Sequence, residues 1–159
     1  MLKYYNTAIA LQEIPDETSL AINIVGCPRH CEGCHSPHLQ QEDGIPLMSA
    51  MNDVFLYRKY ITCVLFMGGD WDIMSLMDAV SLVKKTCPEL KTALYTAMEL
   101  EEIKPFLQDF DYVKTGPYIK ELGGLASPTT NQRLYRILRD YKEGDRCIFV
   151  PIDMTKKEV

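Results

Sequence analysis

Three of the chain's six cysteines fall in one stretch, Gly26-Cys27-Pro-Arg-His-Cys31-Glu-Gly-Cys34-His35. Cysteines separated by three and then two residues can wrap a single compact metal centre. Gly26 and Gly33 relieve the steric limits of so tight a loop, and Pro28 stiffens it. Electron-transfer clusters take four cysteines, one per iron. A local set of three therefore predicts a [4Fe–4S] cluster in which Cys27, Cys31 and Cys34 ligate three irons and the fourth is open to a substrate. On spacing alone two other readings stay open. One is a structural zinc site that recruits His30, His35 or His38 as its fourth ligand, although such sites usually come as two ligand pairs and no second pair is visible. The other is an inert cluster completed by a distant cysteine. Cys63, Cys87 and Cys147 stand alone in apolar or helical surroundings and are expected to be small core residues, because a reducing compartment disfavours disulfides.

The rest of the composition narrows what such a centre could serve. The 159 residues suffice for one domain, expected over residues 1–159, with 47% hydrophobic and 25% charged residues. Net charge is −5 with no block of Lys or Arg, which argues against direct nucleic-acid binding, since that rests on clustered positive charge. No apolar run approaches the roughly 18 residues of a membrane span. The opening Met1-Leu-Lys-Tyr-Tyr-Asn lacks the layout of a signal peptide, so the expected address is the cytoplasm.

Hydrophobic period and punctuation place the elements that must position the cysteines. Tyr4 to Gln12 reads as extended, followed by a turn at Pro15-Asp-Glu-Thr. Leu20 to Val25 is a β-rich run ending at Gly26, directly before the cysteine loop, and a loop rich in Pro and His continues to about Met48. Met51 to Tyr60 is helical in period, Cys63 to Met67 a buried strand, and Asp72 to Lys85 an amphipathic helix with Ile73, Leu76, Met77, Val80 and Val83 on one face. Lys91 to Thr96 is a strand, Leu100 to Leu107 a short helix, Tyr112 to Lys114 a strand. Gln132 to Leu138 is ambiguous between helix and strand, and Cys147 to Val150 is a last strand. This alternation predicts an α/β fold of parallel β/α units. The strands are too few for a closed eight-stranded barrel, so the expected architecture is a partial, open β/α barrel of about five or six mostly parallel strands. In such folds reactive groups gather at the carboxyl ends of strands. The cysteine loop, Gly68-Gly69-Asp70, Thr96 and Thr115-Gly116 all fall at such ends and are expected to surround one mouth. Taken alone, Gly68-Gly69-Asp70 also reads as a plain strand-to-helix turn in which Asp70 or Asp72 caps the helix.

The Cys-x₃-Cys-x₂-Cys loop after a first strand resembles the signature of radical S-adenosylmethionine enzymes. Its wider context, Gly-Cys-Pro-Arg-His-Cys-Glu-Gly-Cys-His-Ser-Pro, is similar to the activating enzymes of glycyl-radical proteins. Within these the chain resembles the activases of anaerobic (class III) ribonucleoside-triphosphate reductases. Phe66-Met-Gly-Gly-Asp70, Leu94-Tyr-Thr96, and Lys114-Thr-Gly-Pro-Tyr118 through Ser127-Pro-Thr-Thr-Asn-Gln-Arg133 carry the likeness from about Ile22 to Leu138.

The resemblance implies a fourth iron chelated by the amino and carboxylate groups of S-adenosylmethionine. Gly68, Gly69 and Asp70 match a Gly-Gly-Glu motif that lies beside the methionine moiety and its ammonium, here with Asp for Glu and Trp71 for the usual Pro. Thr96 matches a polar position near the nucleotide, with Ala97 in place of a common Gly. His30 and His35 flank the cluster, where they could hydrogen-bond its sulfurs or simply be loop residues. Lys114 could meet a carboxylate or phosphate, and Asn131 to Arg133 could hold the cofactor or a partner, or start a helix capped by Thr129 or Thr130. The implied reaction is one-electron cleavage of S-adenosylmethionine, with the electron from a flavodoxin-like donor, and hydrogen abstraction from a glycine of the reductase. No general base is needed for it. So short a chain leaves its mouth open and lateral, which favours a protein substrate over a small molecule.

Overall fold

A computed structural model describes residues 1–144 and 146–155; the remaining five positions of the expected domain lie outside the described residues. One eight-stranded sheet organises the chain, in the order β3-β1-β2-β4-β5-β6-β7-β8. Its strands are β1 (Lys3–Ala10), β2 (Ser19–Ile24), β3 (Ile45–Pro46), β4 (Cys63–Met67), β5 (Lys91–Tyr95), β6 (Tyr112–Thr115), β7 (Arg133–Asp140) and β8 (Arg146–Ile152). The middle four, β2, β4, β5 and β6, are mutually parallel. Strands β1 and β3 flank them on one side and β7 and β8 on the other, all antiparallel to their neighbours. The described strands thus number eight where five or six were expected, and the additional ones belong to the antiparallel flanks.

The parallel strands are joined by helices α1 (Met51–Tyr57), α2 (Ile73–Thr86) and α3 (Leu100–Ile103). Alternation along each strand sends side chains to two cores. Val64 and Phe66 of β4, Leu20, Ile22 and Ile24 of β2, Leu94 of β5 and Val113 of β6 meet the helices through Val54, Leu76, Ala79, Val80, Val83 and Ile103. The intervening Ala21, Cys63, Leu65, Ala93 and Tyr112 pack with Ile14 and Leu134 in the second cluster. Four of the five β4 residues are buried, which is why this strand reads as a continuous apolar run rather than an alternating one.

Local chemistry explains where the helices begin and end. The Asp72 carboxylate caps α2, accepting from the Ser75 N–H at 3.3 Å and the Ser75 hydroxyl at 2.7 Å. Lys84 and Lys85 occupy the last turn, where positive charge suits the helix dipole. The expected helix from Leu100 to Leu107 is α-helical only to Ile103 and continues as a 3₁₀ turn over Lys104–Phe106, since Pro105 has no N–H to donate. The ambiguous stretch from Gln132 to Leu138 enters β7, settled by pairing with β6 and β8.

The parallel register sets the level of the site. Asn23, Met67, Tyr95 and Lys114 stand side by side across β2, β4, β5 and β6. The segments leaving the carboxyl ends of all four strands therefore emerge at one edge of the sheet.

Candidate metal centre

At that edge a cavity of about 190 Å³ is walled by Cys27, Cys31 and Cys34 on one side and by Met67, Gly68, Tyr95 and Lys114 at the strand ends. Its mouth is set by how the cysteine loop is stitched. Gly26 has φ +85°, and its N–H is shared between the carbonyls of Leu39 and Gln41, both at 2.9 Å. The Cys27 N–H donates to the Leu39 carbonyl at 3.2 Å and the Cys34 N–H to the Cys31 carbonyl at 3.2 Å. Leu39 is itself buried, so these bonds fasten the loop to the core. His30 adopts a left-handed φ of +48°, with its Nδ1 2.9 Å from Gln40 Oε1. Among the histidines only His30 lines the cavity. His35 packs edge-on against Tyr118 and His38 against Tyr5.

All three loop cysteines are reduced and half-buried. Burial pushes the Cys27 thiol above its ordinary pKa; the Arg29 backbone N–H opposes this, while Asp70, Cys31 and Cys34 reinforce it with negative charge. Three sulfurs that repel one another as thiolates form a donor set suited to a soft, positively charged centre. Among the described residues no three His, Cys, Asp or Glu side chains converge tightly enough for a single metal ion. A cubane cluster makes a different demand, one thiolate per iron, and three separate sulfurs on one wall fit that demand.

The turn after β4 contributes the second wall. Gly68 and Gly69 both have φ of +97°, a conformation costly for other residues. They face different ways. A Cβ on Gly68 would lie 3.0 Å from the Trp71 ring, whereas one on Gly69 would lie 3.0 Å from Ile24 Cδ1 and 3.1 Å from Leu2 Cδ1. Gly68 thus borders the cavity and Gly69 the core. Trp71, which also lines the cavity, spans from the Gly68 turn toward Gly26, with its Nε1 3.9 Å from where a Cβ on Gly26 would sit.

Asp70 and Thr96 lie behind this wall rather than on it. Asp70 Oδ2 accepts from Arg29 Nη2 at 3.1 Å and from the Thr96 hydroxyl at 3.0 Å. Thr96 is 2% exposed and also accepts from the Met98 N–H at 3.0 Å. Ala97, one residue on, takes the place on the wall. Since Asp72 is the helix cap, Asp70 is left free for this contact with the cysteine loop.

The far side is built by β6 and the approach to β7. The Lys114 ammonium lies 5.2 Å from the centroid of the Tyr95 ring. Burial lowers its pKa to about 8, against the opposing pull of Asp70, Cys31 and Glu13. The Tyr95 hydroxyl is anchored to the Glu13 carbonyl at 2.7 Å. Asn131 Nδ2 donates to the Pro117 carbonyl at 3.0 Å, while its buried Oδ1 has no partner among the described residues. Gln132 is buried, reaches the Gly116 carbonyl, and lines the cavity. Arg133 turns back onto the Thr130 and Gln132 carbonyls at 2.7 and 2.8 Å. This stretch leads into a strand, so the helix start capped by Thr129 or Thr130 does not form.

Sequence reasoning did not single out Arg29, Tyr118 or Gln40. Arg29 carried a signal in its place between Cys27 and Cys31. Tyr118 ends a stretch that carries the family resemblance but was given no role there, and Gln40 carried no signal, because only the folded loops bring them to the site.

Residues 18–138 match a family described as 4Fe-4S single cluster domain. No curated protein and no solved structure matches the chain. No helix among the described residues is long and apolar enough to cross a membrane. The matched stretch begins just before the strand that delivers the cysteine loop and ends on the strand that closes the opposite side of the cavity. The segment with family likeness spans the segment that builds the sulfur-lined cavity, and the chain belongs to the 4Fe-4S single cluster domain family.

Proposed function

We propose that this domain is a radical S-adenosylmethionine activase that generates a glycyl radical on an anaerobic ribonucleoside-triphosphate reductase, taking its electron from a flavodoxin-like donor. The observation that carries the reading is the count of sulfurs. Cys27, Cys31 and Cys34 are the only cysteines on the cavity wall, while Cys63 and Cys87 are fully buried in the cores and Cys147 lies on β8. With three protein thiolates a [4Fe–4S] cluster keeps one iron for an external ligand. Cys27, Cys31 and Cys34 would hold such a cluster, which would supply one-electron reductive cleavage chemistry toward S-adenosylmethionine and thereby hydrogen abstraction from a backbone glycine of the partner.

The chain's own residues orient and shield. Gly68 lets the backbone approach a ligand closely, and Lys114 offers a half-buried positive charge suited to a carboxylate or phosphate. Met67, Trp71 and Tyr95 supply apolar walls that exclude water. The fold belonging to this reading is a partial, open β/α barrel, supported by four parallel strands that deliver these groups to one edge. The cytoplasmic address is part of the same proposal.

Anaerobic reconstitution tests it. Dithionite and S-adenosylmethionine should yield 5′-deoxyadenosine from the loaded protein, and Cys31→Ala should lose both the cluster and nearly all of the product. Addition of the reductase should then give a glycyl electron-spin signal. A loaded, reduced protein that produces no 5′-deoxyadenosine sinks the enzymatic reading, and a signal only on another glycyl-radical protein reassigns the partner.

A further inference from the structure

We propose that Asp70 is a positioning residue that clasps the cysteine loop shut through Arg29, and that it is not a direct contact for the ammonium group of a bound ligand. The first part stands on geometry alone; the ligand clause rests on the proposed function. Arg29 sits midway between Cys27 and Cys31, so whatever holds it holds both. Its Nη2 is 3.1 Å from Asp70 Oδ2, and that same oxygen accepts the Thr96 hydroxyl at 3.0 Å. One carboxylate oxygen thereby joins segments leaving the carboxyl ends of β2, β4 and β5.

Three features give the clasp its strength and exclude the other use of Asp70. Its side chain is 3% exposed against 36% for Arg29, so the carboxylate faces inward and does not reach the cavity wall. The Thr96 oxygen already accepts the Met98 N–H at 3.0 Å, which leaves its hydroxyl hydrogen directed at Asp70. Finally, withdrawal of Arg29 would leave a buried carboxylate with only the more distant Lys114 as counter-charge, a costly state, and this penalty resists opening of the loop.

Hydrogen exchange of residues 27–41 in the cluster-free protein, read by mass spectrometry, tests the clasp without any cofactor. Arg29→Gln and Asp70→Asn should each speed exchange roughly tenfold, the scale of one charge-assisted hydrogen bond. The double variant should exchange no faster than either single, because the two residues act through one another, and Arg29→Lys should restore most of the protection. Unchanged exchange, or effects that add in the double variant, would overturn the clasp. Arg29 is partly exposed, so its variants decide the matter even where Asp70→Asn fails to fold. In the loaded protein, S-adenosylmethionine affinity should fall alike in both single variants. Loss in Asp70→Asn with undiminished binding in Arg29→Gln would instead make Asp70 a direct contact. Should the loaded wild type bind no S-adenosylmethionine, the proposed function fails while the exchange result still decides the clasp.

Discussion

Burial sets Cys63 and Cys87 apart from the three loop cysteines, with Cys147 on β8 only partly covered. Cys63 and Cys87 are 0% exposed, in the second core and the helix-side core respectively. Burial pushes the Cys63 thiol up to about 12, with the Glu17 charge adding to it, so at neutral pH it is a small apolar residue without thiolate character. The loop cysteines are half-buried on a cavity wall. Iodoacetamide should therefore label Cys31 and Cys34 in the native, cluster-free protein, and Cys27 more slowly because its thiol is held above its ordinary pKa, while Cys63 and Cys87 react only after unfolding. Peptide mapping by mass spectrometry checks this, and native labelling of Cys63 would contradict its place in the core. At this scale the candidate ligands were legible because three cysteines crowded into eight residues are too close together for separate structural disulfides and well spaced for one metal centre. The role of Asp70 was not, because its partners Arg29 and Thr96 are distant in sequence and meet it only in the fold.

At the scale of elements, the turn between β4 and α2 divides its two aspartates between different tasks. Asp72 caps the helix while Asp70 turns inward to Arg29. Asp72→Ala should cost about 1 kcal/mol, the usual worth of an N-cap side chain, seen as a lower urea midpoint with unchanged slope, and Asp72→Asn should recover most of it. The exposed contact of Asp72 with the amino group of Met1, at 3.1 Å, adds little to this figure. Strand β4 and helix α2 were readable almost to their ends, since a buried apolar run and a 3.6-residue period are strong local signals. Strand β7 was not. Arg133-Leu-Tyr-Arg-Ile-Leu has an acceptable pattern for either state, and the choice fell to hydrogen bonds with β6 and β8.

Across the whole molecule, the edge of the sheet opposite the cavity is closed by a second polar knot. Glu17 precedes β2 and is buried, with Lys91 of β5 and, at 3.0 Å, the hydroxyl of Tyr112 of β6 donating to its Oε1. Burial, the largest single influence, pushes the Glu17 carboxyl upward. The hydrogen bonds from Lys91, Thr62 and Tyr112 and the charge of Lys91 together outweigh it and hold the group below its ordinary 4.5. A carboxylate whose folded pKa is depressed contributes stability that is full above the unfolded value and lost as pH falls through the folded one. The stability difference between wild type and Glu17→Gln should accordingly be largest above about pH 4.5 and shrink on acidification below it. Chemical denaturation from about pH 3 to about pH 7, a range that brackets carboxylate titration, measures it, and a difference independent of pH would remove Glu17 from the acid response.

Taken by itself, the sequence determined the crowding of three cysteines into one loop, the order of strands and helices through the middle of the chain, and the strand ends that border the cavity. Those features are local: ligand spacing, hydrophobic period and turn residues act within about ten positions of one another. Only the tertiary structure decided which groups at those ends face the cavity. It turned Gly68 and Ala97 onto the wall and Gly69, Asp70 and Thr96 behind it, and set Arg29 against Asp70. It also built the antiparallel flanks. The reason is that side-chain direction at a strand end depends on register and on what packs behind it, and both are fixed by pairings between residues far apart in the chain.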